Sequence, residues 1–182
     1  MYGPYGYLPY HNYKTSGNGL YHMGDILNSC YNMYSADYNN NNTNNGYMGL
    51  RDYGPEPFVI NIEDAAKINN TFRMALWTGN HLQLTLMSIN PGEDIGLEVH
   101  PDLDQFIRIE QGQGIVAMGD RPDRPDFQRW VYPDYVIIIP AGKWHNLVNT
   151  GRIPIKLYSI YAPPQHLPGT VHVTRADAMA EE

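Results

Sequence analysis

From residue 58 onward, the chain alternates short apolar segments with turns rich in glycine and proline. Turns such as 90–92 and 140–142 separate neighbouring segments. Short strands at this spacing are typical of an antiparallel sandwich or barrel, so the fold class is predicted to be all-β. The predicted strands are 58–62, 72–78, 82–89, 95–100, 105–110, 114–118, 128–132, 135–139, 145–149 and 155–161.

Two short helices are predicted to flank the strands. One lies around 63–69 and the other over 174–180. Thr174 is a suitable N-cap residue for the second helix, and Asp177 completes a capping box three residues later.

The first 53 residues differ in composition from the remainder of the chain. Eleven of the 15 tyrosines lie there, beside an asparagine-rich run at 39–45. Ordering a segment with so few aliphatic side chains costs about 1–2 kcal/mol per residue in backbone entropy. We therefore predict a disordered Tyr/Asn/Gly-rich tail over 1–53 and one folded domain over 54–182, which is expected to fold without the tail. The tail is either a solubility extension or an adhesive segment.

Charge and composition exclude several classes of protein. Lys and Arg total 12 against 19 Asp and Glu, so the net charge is -7, which argues against nucleic acid as a partner. Cys30 is the lone cysteine and excludes a disulfide scaffold. The aliphatic run 136–139 is far shorter than the roughly 20 residues of a membrane helix. Residues 1–5 lack the features of a secretory signal, so we expect a cytoplasmic protein with no membrane partner.

Polar residues at alternating positions suggest a metal site. Side chains two apart on a strand share a face, so Glu98 and His100 are expected to point the same way. Gln105 is in phase with the apolar Ile107 and Ile109, and is therefore predicted to point inward. One hairpin would then supply a carboxylate, an imidazole and an amide oxygen to the interior. A second imidazole, that of His145, opens a strand after the turn at 140–142.

The spacing of these residues resembles two motifs of the cupin superfamily. The first cupin motif reads Gly, five residues, His-x-His, three or four residues, Glu, six residues, Gly. The second reads Gly, five residues, Pro-x-Gly, two residues, His, three residues, Asn. At the matching positions this chain has Gly92, Glu98, His100, Gln105 and Gly112, then Asp134, Pro140, Gly142, His145 and Asn149. Glu and Gln thus stand where the first motif usually has His and Glu, and Asp134 where the second usually has Gly.

The resemblance implies a single jelly-roll β-barrel with one metal ion bound by Glu98, His100, Gln105 and His145. Two imidazoles and two oxygen donors suit a divalent Mn, Fe, Ni or Zn ion. The alternative is a metal-free ligand pocket. Residues 98–102, Glu-Val-His-Pro-Asp, also resemble the Gln-x-His-Pro-Asp metal segment of phosphomannose isomerases, so a mannose-6-phosphate isomerase-like cupin is the expected subtype.

Two functions follow from this resemblance. The first is a metal-dependent enzyme that acts on a small molecule, either a sugar-like or an oxygenase-type substrate, with Glu98 as an alternative general base. The second is a non-catalytic metal- or sugar-binding cupin, such as a spore-associated structural component, because the tail is similar in composition to Tyr/Gly/Asn-rich stretches of bacterial spore-coat proteins. Since cupins often pair, a homodimer is expected in both cases.

Overall fold

Most of the predicted strands are present and form two antiparallel sheets. The structure, a computed structural model, describes residues 49–181. Its elements in chain order are α1 (Ile62–Ile68), β1 (Arg73–Thr78), β2 (Gln83–Ile89), β3 (Asp104–Gln111), β4 (Gly114–Gly119), β5 (Phe127–Val131), β6 (Val136–Ile139), β7 (Trp144–Asn149), β8 (Ile155–Ala162), β9 (Val171–His172) and α2 (Arg175–Glu181).

The larger sheet has the strand order β6-β3-β8-β2-β1-β9, and the smaller sheet has the order β5-β4-β7. Every strand pair is antiparallel. The segment before β3 runs along β7, with bridges between Asp94 and Val148 and between Glu98 and His145. The prediction of a mostly β fold with short helices is confirmed, and the arrangement is consistent with the predicted jelly roll.

The main core is formed by apolar side chains from both sheets. Ile107 and Ile109 of β3 and Leu147 of β7 are each at most 1% exposed and belong to one buried cluster. A second cluster lies beneath helix α1, where Ala65 and Ala66 pack with Met74, Leu76 and Leu86. The alternation along β3 therefore directs one set of side chains into the main core.

Each helix begins at a capping residue, and the cap of α2 is the predicted one. The Asn61 side chain accepts a hydrogen bond from the Asp64 backbone N–H at the start of α1. At α2, the Thr174 hydroxyl accepts from the Asp177 N–H (3.3 Å), and the Asp177 carboxylate accepts from the Thr174 N–H (2.7 Å), which confirms the predicted capping box. Among residues 49–181, no helix is long and apolar enough to cross a membrane.

Two predicted strands are wrong. Residues 58–61 form no strand because Asn61 caps α1, Phe58 and Ile60 pack beside the α1 cluster, and Val59 is 97% exposed. Residues 95–100 contribute only an isolated bridge at Glu98, because Gly96 interrupts them with a φ of +94° and a bend follows at residue 97. The short strand β9 was not predicted.

The last residues of the predicted tail contact the domain. Residues 1–48 of that tail lie outside the described residues. Tyr53 packs beside the α1 cluster and donates its backbone N–H to the Leu76 carbonyl (2.9 Å). The Asp52 carboxylate accepts hydrogen bonds from the Thr78 N–H (2.9 Å), the Thr78 hydroxyl (2.6 Å) and the Gly169 N–H (2.9 Å). Asp52 therefore joins the end of β1 to the loop before β9.

Replacing Asp52 by alanine is expected to lower the free energy of unfolding by about 1–3 kcal/mol, because its donors on β1 and near β9 lose a charged acceptor. Burial acts to raise the Asp52 pKa, but the Thr78 and Gly169 hydrogen bonds outweigh it and lower this pKa below 3.8. The carboxylate thus stabilises the fold above its unfolded pKa, and this contribution is lost as the pH falls through the lower folded value.

Urea unfolding at several pH values measures this difference in the full chain. Glu56→Ala is the matched control, since Glu56 is an exposed carboxylate nearby. An Asp52→Ala loss that is the same at neutral and strongly acidic pH would show that the carboxylate charge does not contribute.

Candidate metal centre

Three side chains with metal-binding atoms meet inside the domain. One donor atom from each of Glu98, His100 and His145 lies within 4.8 Å of the other two. The Glu98 Oε1 atom is 3.3 Å from His145 Nε2 and 3.6 Å from His100 Nε2. Atoms bound at about 2.0–2.2 Å to a single ion lie at most about 4.4 Å apart, so these two separations suit a shared cation.

The backbone holds Glu98 and His145 directly opposite each other. The Glu98 N–H donates to the His145 carbonyl (3.0 Å), and the His145 N–H donates to the Glu98 carbonyl (2.9 Å). The His100 carbonyl accepts from the N–H of Gly142 (2.8 Å). Gly142 has a φ of +78° in the turn before β7, a conformation that favours glycine. The two cupin-like motifs are therefore brought together by main-chain contacts.

Helix α2 supports the segment that carries Glu98 and His100. The Arg175 guanidinium donates two hydrogen bonds to the Asp94 carboxylate (2.6 and 3.0 Å) and one to the Asp94 carbonyl (3.0 Å). The same carboxylate accepts from the Gly96 N–H (3.0 Å). These contacts hold the start of the segment two to four residues before Glu98.

The hydrogen bond of His145 sets which ring nitrogen faces the site. His145 Nδ1 lies 2.9 Å from the Lys143 carbonyl, which can only accept, so Nδ1 carries the hydrogen and Nε2 presents a lone pair. The Nε2 atoms of both imidazoles and Oε1 of Glu98 are buried with no hydrogen-bond partner among the described residues. Electron-pair donors that face one another in a buried site are stabilised by a cation between them. The donor set therefore fits a metal ion.

Glu98 supplies a negative charge to this site. Burial alone would raise the pKa of its carboxyl, but the His100 and His145 rings, when their Nε2 atoms carry hydrogens instead of a metal ion, and the Arg73 guanidinium outweigh this effect and lower the pKa to about 2. Arg73 Nη2 lies 3.7 Å from Glu98 Oε2. Glu98 is consequently ionised at neutral pH.

The fourth predicted ligand, Gln105, is connected to this group of three through Tyr161. It is 2% exposed on β3, directly opposite Tyr161 of β8, and the Tyr161 ring contacts His100 with 5.7 Å between centroids. The Gln105 amide donates to the Ser159 hydroxyl (3.0 Å), while its Oε1 atom is buried without a partner among the described residues. Gln105 is thus inward-facing, with an oxygen available to bind an ion or ligand.

Two further aromatic rings, those of Tyr161 and His166, lie near the site. Tyr161 is 1% exposed and stands edge-on to both His100 and His166. Burial raises the Tyr161 pKa to about 12, so the phenol stays protonated. Tyr161 lies on the same face of its strand as Ser159, so strand alternation could have identified it from the sequence. His166 lies in a loop, where no periodic pattern identifies an inward-facing residue.

The Nε2 atom of His166 is buried with no partner among the described residues. Its backbone is held by the Gln83 side chain, which accepts from the His166 N–H (2.9 Å) and donates to its carbonyl (3.0 Å). Burial, assisted by the charge of Arg73, lowers the His166 pKa to about 3. A neutral imidazole is therefore held close to the three candidate ligands.

Asn149, the last residue of the second motif, has a structural role. Its Nδ2 group donates to the carbonyls of Ile89 (2.8 Å) and Ile153 (2.9 Å), and its Oδ1 atom accepts from the Gly151 N–H (2.8 Å). The side chain is 1% exposed. It joins the end of β2, the end of β7 and the turn that leads to β8.

Comparison with known proteins identifies the family. The cupin domain profile matches residues 85–161. Uncharacterized protein YrkC of Bacillus subtilis (strain 168) is 66% identical over 133 residues, which cover 73% of this chain and 72% of that protein. Uncharacterized protein L612 of Acanthamoeba polyphaga mimivirus is 40% identical over 119 residues, or 65% of this chain and 72% of that protein.

Solved structures are also similar to this chain. The crystal structure of BH2720 from Bacillus halodurans has 66% sequence identity and a TM-score of 0.72, and the match covers 72% of this chain and 99% of that one. The structure of TT1209 from Thermus thermophilus, at 20% identity and a TM-score of 0.50 over 58% of this chain and 96% of that one, shares the fold alone. The chain belongs to the cupin superfamily.

Proposed function

We propose that this cupin binds one divalent transition metal ion and acts as an enzyme on a small molecule. Glu98, His100 and His145 would hold the ion, with Gln105 Oε1 as the fourth donor. The observation that carries the proposal is the buried cluster of donor atoms, in which a carboxylate oxygen and an imidazole lone pair face each other at 3.3 Å.

Two imidazoles and two oxygen donors suit Mn, Fe, Ni or Zn. A bound metal ion would supply a Lewis acid that can polarise a carbonyl group or activate water or dioxygen. The protein would exclude water from the site by burial. The protonated Tyr161 and the neutral His166 would offer hydrogen bonds that orient a bound molecule.

Polar side chains line the interior next to these ligands, which supports a small-molecule pocket. They are at most 2% exposed and occupy matching positions on three neighbouring strands, namely Gln83 and Thr85 on β2, Ser159 and Tyr161 on β8, and Gln105 on β3. Buried polar groups are costly unless they are satisfied, and ligand sites are built around a few such groups. The substrate would be sugar-like or of the oxygenase type. The reaction would be isomerase-like, because residues 98–102 resemble the metal segment of phosphomannose isomerases.

Metal analysis of the untagged full chain, followed by assays with sugar phosphates and for dioxygen consumption, tests this function. We expect about one ion per chain in the wild type. His100→Ala should bind metal at least about tenfold more weakly and lose turnover, since one of the ligands is gone. His81→Ala is the matched control, because His81 is exposed in the turn before β2.

Each outcome separates the alternatives. A wild-type protein that binds none of the four metals would refute the metal centre and leave a metal-free ligand pocket. Tight metal binding without turnover on either substrate class would favour the non-catalytic cupin. Equal metal loss in His81→Ala would show that the effect is not specific to the site.

A further inference from the structure

A buried guanidinium lies next to the candidate metal centre. Arg73 is 1% exposed on β1, and its Nη2 atom is 3.7 Å from Oε2 of Glu98. An arginine side chain is always charged, and a buried charge is stabilised only when a counter-charge lies nearby. Glu98 is also the charged ligand of the proposed metal ion, so one carboxylate would be shared between two cations.

A bound divalent ion would give this interior an excess of positive charge. The ion and Arg73 together bring three positive charges against the one negative charge of Glu98, because the other proposed ligands are neutral. The buried acid Glu110 does not offset them, since it lies beside Arg108 (3.5 Å) toward the other end of β3 from Gln105. Uncompensated charge in a buried site is costly, so an anionic ligand would be stabilised here.

Neutral hydrogen-bond donors lie close to the Arg73 guanidinium. The charge of Arg73 affects the pKa of both Tyr161 and His166, whose rings are 5.2 Å apart. The Tyr161 phenol is protonated and can donate, and the fully buried Thr85 hydroxyl is beside it. Nε2 of His166 is buried without a partner among the described residues, and it donates in the tautomer that carries hydrogen there. Donors gathered around a cation are suited to an anion that has several acceptor oxygens.

We propose that the small-molecule substrate carries a carboxylate, which binds Arg73 while a second oxygen of the substrate binds the metal ion. This inference rests on the metal centre of the proposed function. A planar guanidinium can donate to both oxygens of a carboxylate, and the Thr85, Tyr161 and His166 donors can bind the lone pairs that remain. Arg73 would thereby fix the orientation of the substrate at the metal ion.

The buried cations favour a carboxylate over a phosphate group. Phosphate sites are commonly built from several arginine or lysine side chains or from a helix N-terminus. Among the described residues, Arg73 is the one buried arginine. The buried Lys156 amine is bound instead to the Asn69 carbonyl and to the Asn70 side chain (3.0 Å). A single guanidinium next to a metal ion matches one negative charge more closely than two.

Calorimetric titration of the full chain, loaded with the ion that the wild type retains, tests this substrate class. Glycolate, a small 2-hydroxy carboxylate, is the probe, and glycolamide is its matched control because a neutral amide replaces the carboxylate. We expect glycolate to bind at least about tenfold more tightly than glycolamide, since the charge-assisted contact with Arg73 is lost in the amide. Inorganic phosphate is titrated in parallel.

Substitutions at two positions separate substrate binding from support of Glu98. Arg73→Met should weaken glycolate binding at least about tenfold and remove the preference over glycolamide. Arg73→Lys keeps the charge without the planar fork, so we expect an intermediate loss. Thr85→Val keeps the side-chain shape and should weaken glycolate binding about fivefold, because one hydrogen-bond donor is lost. His81→Ala is the matched control and should bind glycolate as the wild type does.

Metal content, measured for every sample, distinguishes the two proposals. A wild type without an ion would refute the proposed function and this inference with it. A wild type that holds its ion but does not prefer glycolate over glycolamide would overturn this inference alone, and tighter binding of phosphate would do the same in favour of a phosphorylated substrate. An Arg73→Met chain that holds its ion and binds glycolate normally would assign Arg73 to the support of Glu98 only. Where Arg73→Met does not fold or loses its ion, unchanged glycolate binding in Thr85→Val would overturn the inference.

Discussion

Excess divalent metal is expected to raise the melting temperature of the metal-free full chain by about 10 °C, and His145→Ala should remove most of that rise. A ligand that binds only the native state stabilises it by about 4 kcal/mol at a concentration 1,000-fold above its dissociation constant. For a domain of this size, each kcal/mol added to the free energy of unfolding raises the melting temperature by about 2–4 °C. His145 contributes a donor atom held by two backbone hydrogen bonds and a ring hydrogen bond, so no neighbour can replace it.

Differential scanning calorimetry of chelator-treated protein, with Mn, Fe, Ni or Zn added in turn, measures this shift. His81→Ala should respond like the wild type. Gln105→Leu isolates the fourth donor, and we expect it to lose only part of the rise; an unchanged rise would show that Gln105 is not a ligand. A rise in His145→Ala equal to that of the wild type would contradict the whole site.

Replacing Asn149 by alanine is expected to lower the free energy of unfolding by about 3–5 kcal/mol. The substitution removes three hydrogen bonds and leaves the carbonyls of Ile89 and Ile153 and the N–H of Gly151 without their partner. Each buried polar group left unsatisfied costs about 1–3 kcal/mol. Chemical denaturation of the full chain gives the difference directly.

Asn80→Ala is the control for this prediction, because Asn80 is exposed in the turn between β1 and β2. We expect it to change stability by less than about 0.5 kcal/mol. If Asn149→Ala changed the free energy of unfolding as little as Asn80→Ala, the Asn149 side chain would not stabilise the fold by joining these three segments.

Strand alternation depends only on local geometry, so it could indicate from the sequence which polar side chains point the same way. Glu98 and His100 place their donor atoms in one cluster, as side chains two residues apart are expected to do, although their segment forms only an isolated bridge. Gln105 is inward-facing with Ile107 and Ile109, as its parity indicated. The mostly β fold followed from the same alternation and from the turns.

The remaining features depend on contacts between distant parts of the chain. Arg73 reaches Glu98 only because β1 lies near the 98–100 segment. The alternation of side chains within each of these two segments does not predict that the segments are neighbours. His166 is brought to the interior by the Gln83 side chain, 83 residues away. Residues 58–62 have the composition of a strand, but Asn61 is used as a helix cap instead.

The support for His145 has a consequence for how this site can evolve. The acceptor at Nδ1 is the main-chain oxygen of residue 143, which every amino acid possesses, so the lysine side chain is dispensable for orienting the imidazole. Position 143 can therefore diverge among related proteins without loss of ring orientation, whereas Gly142 cannot be exchanged freely because its positive φ shapes the turn that presents this oxygen.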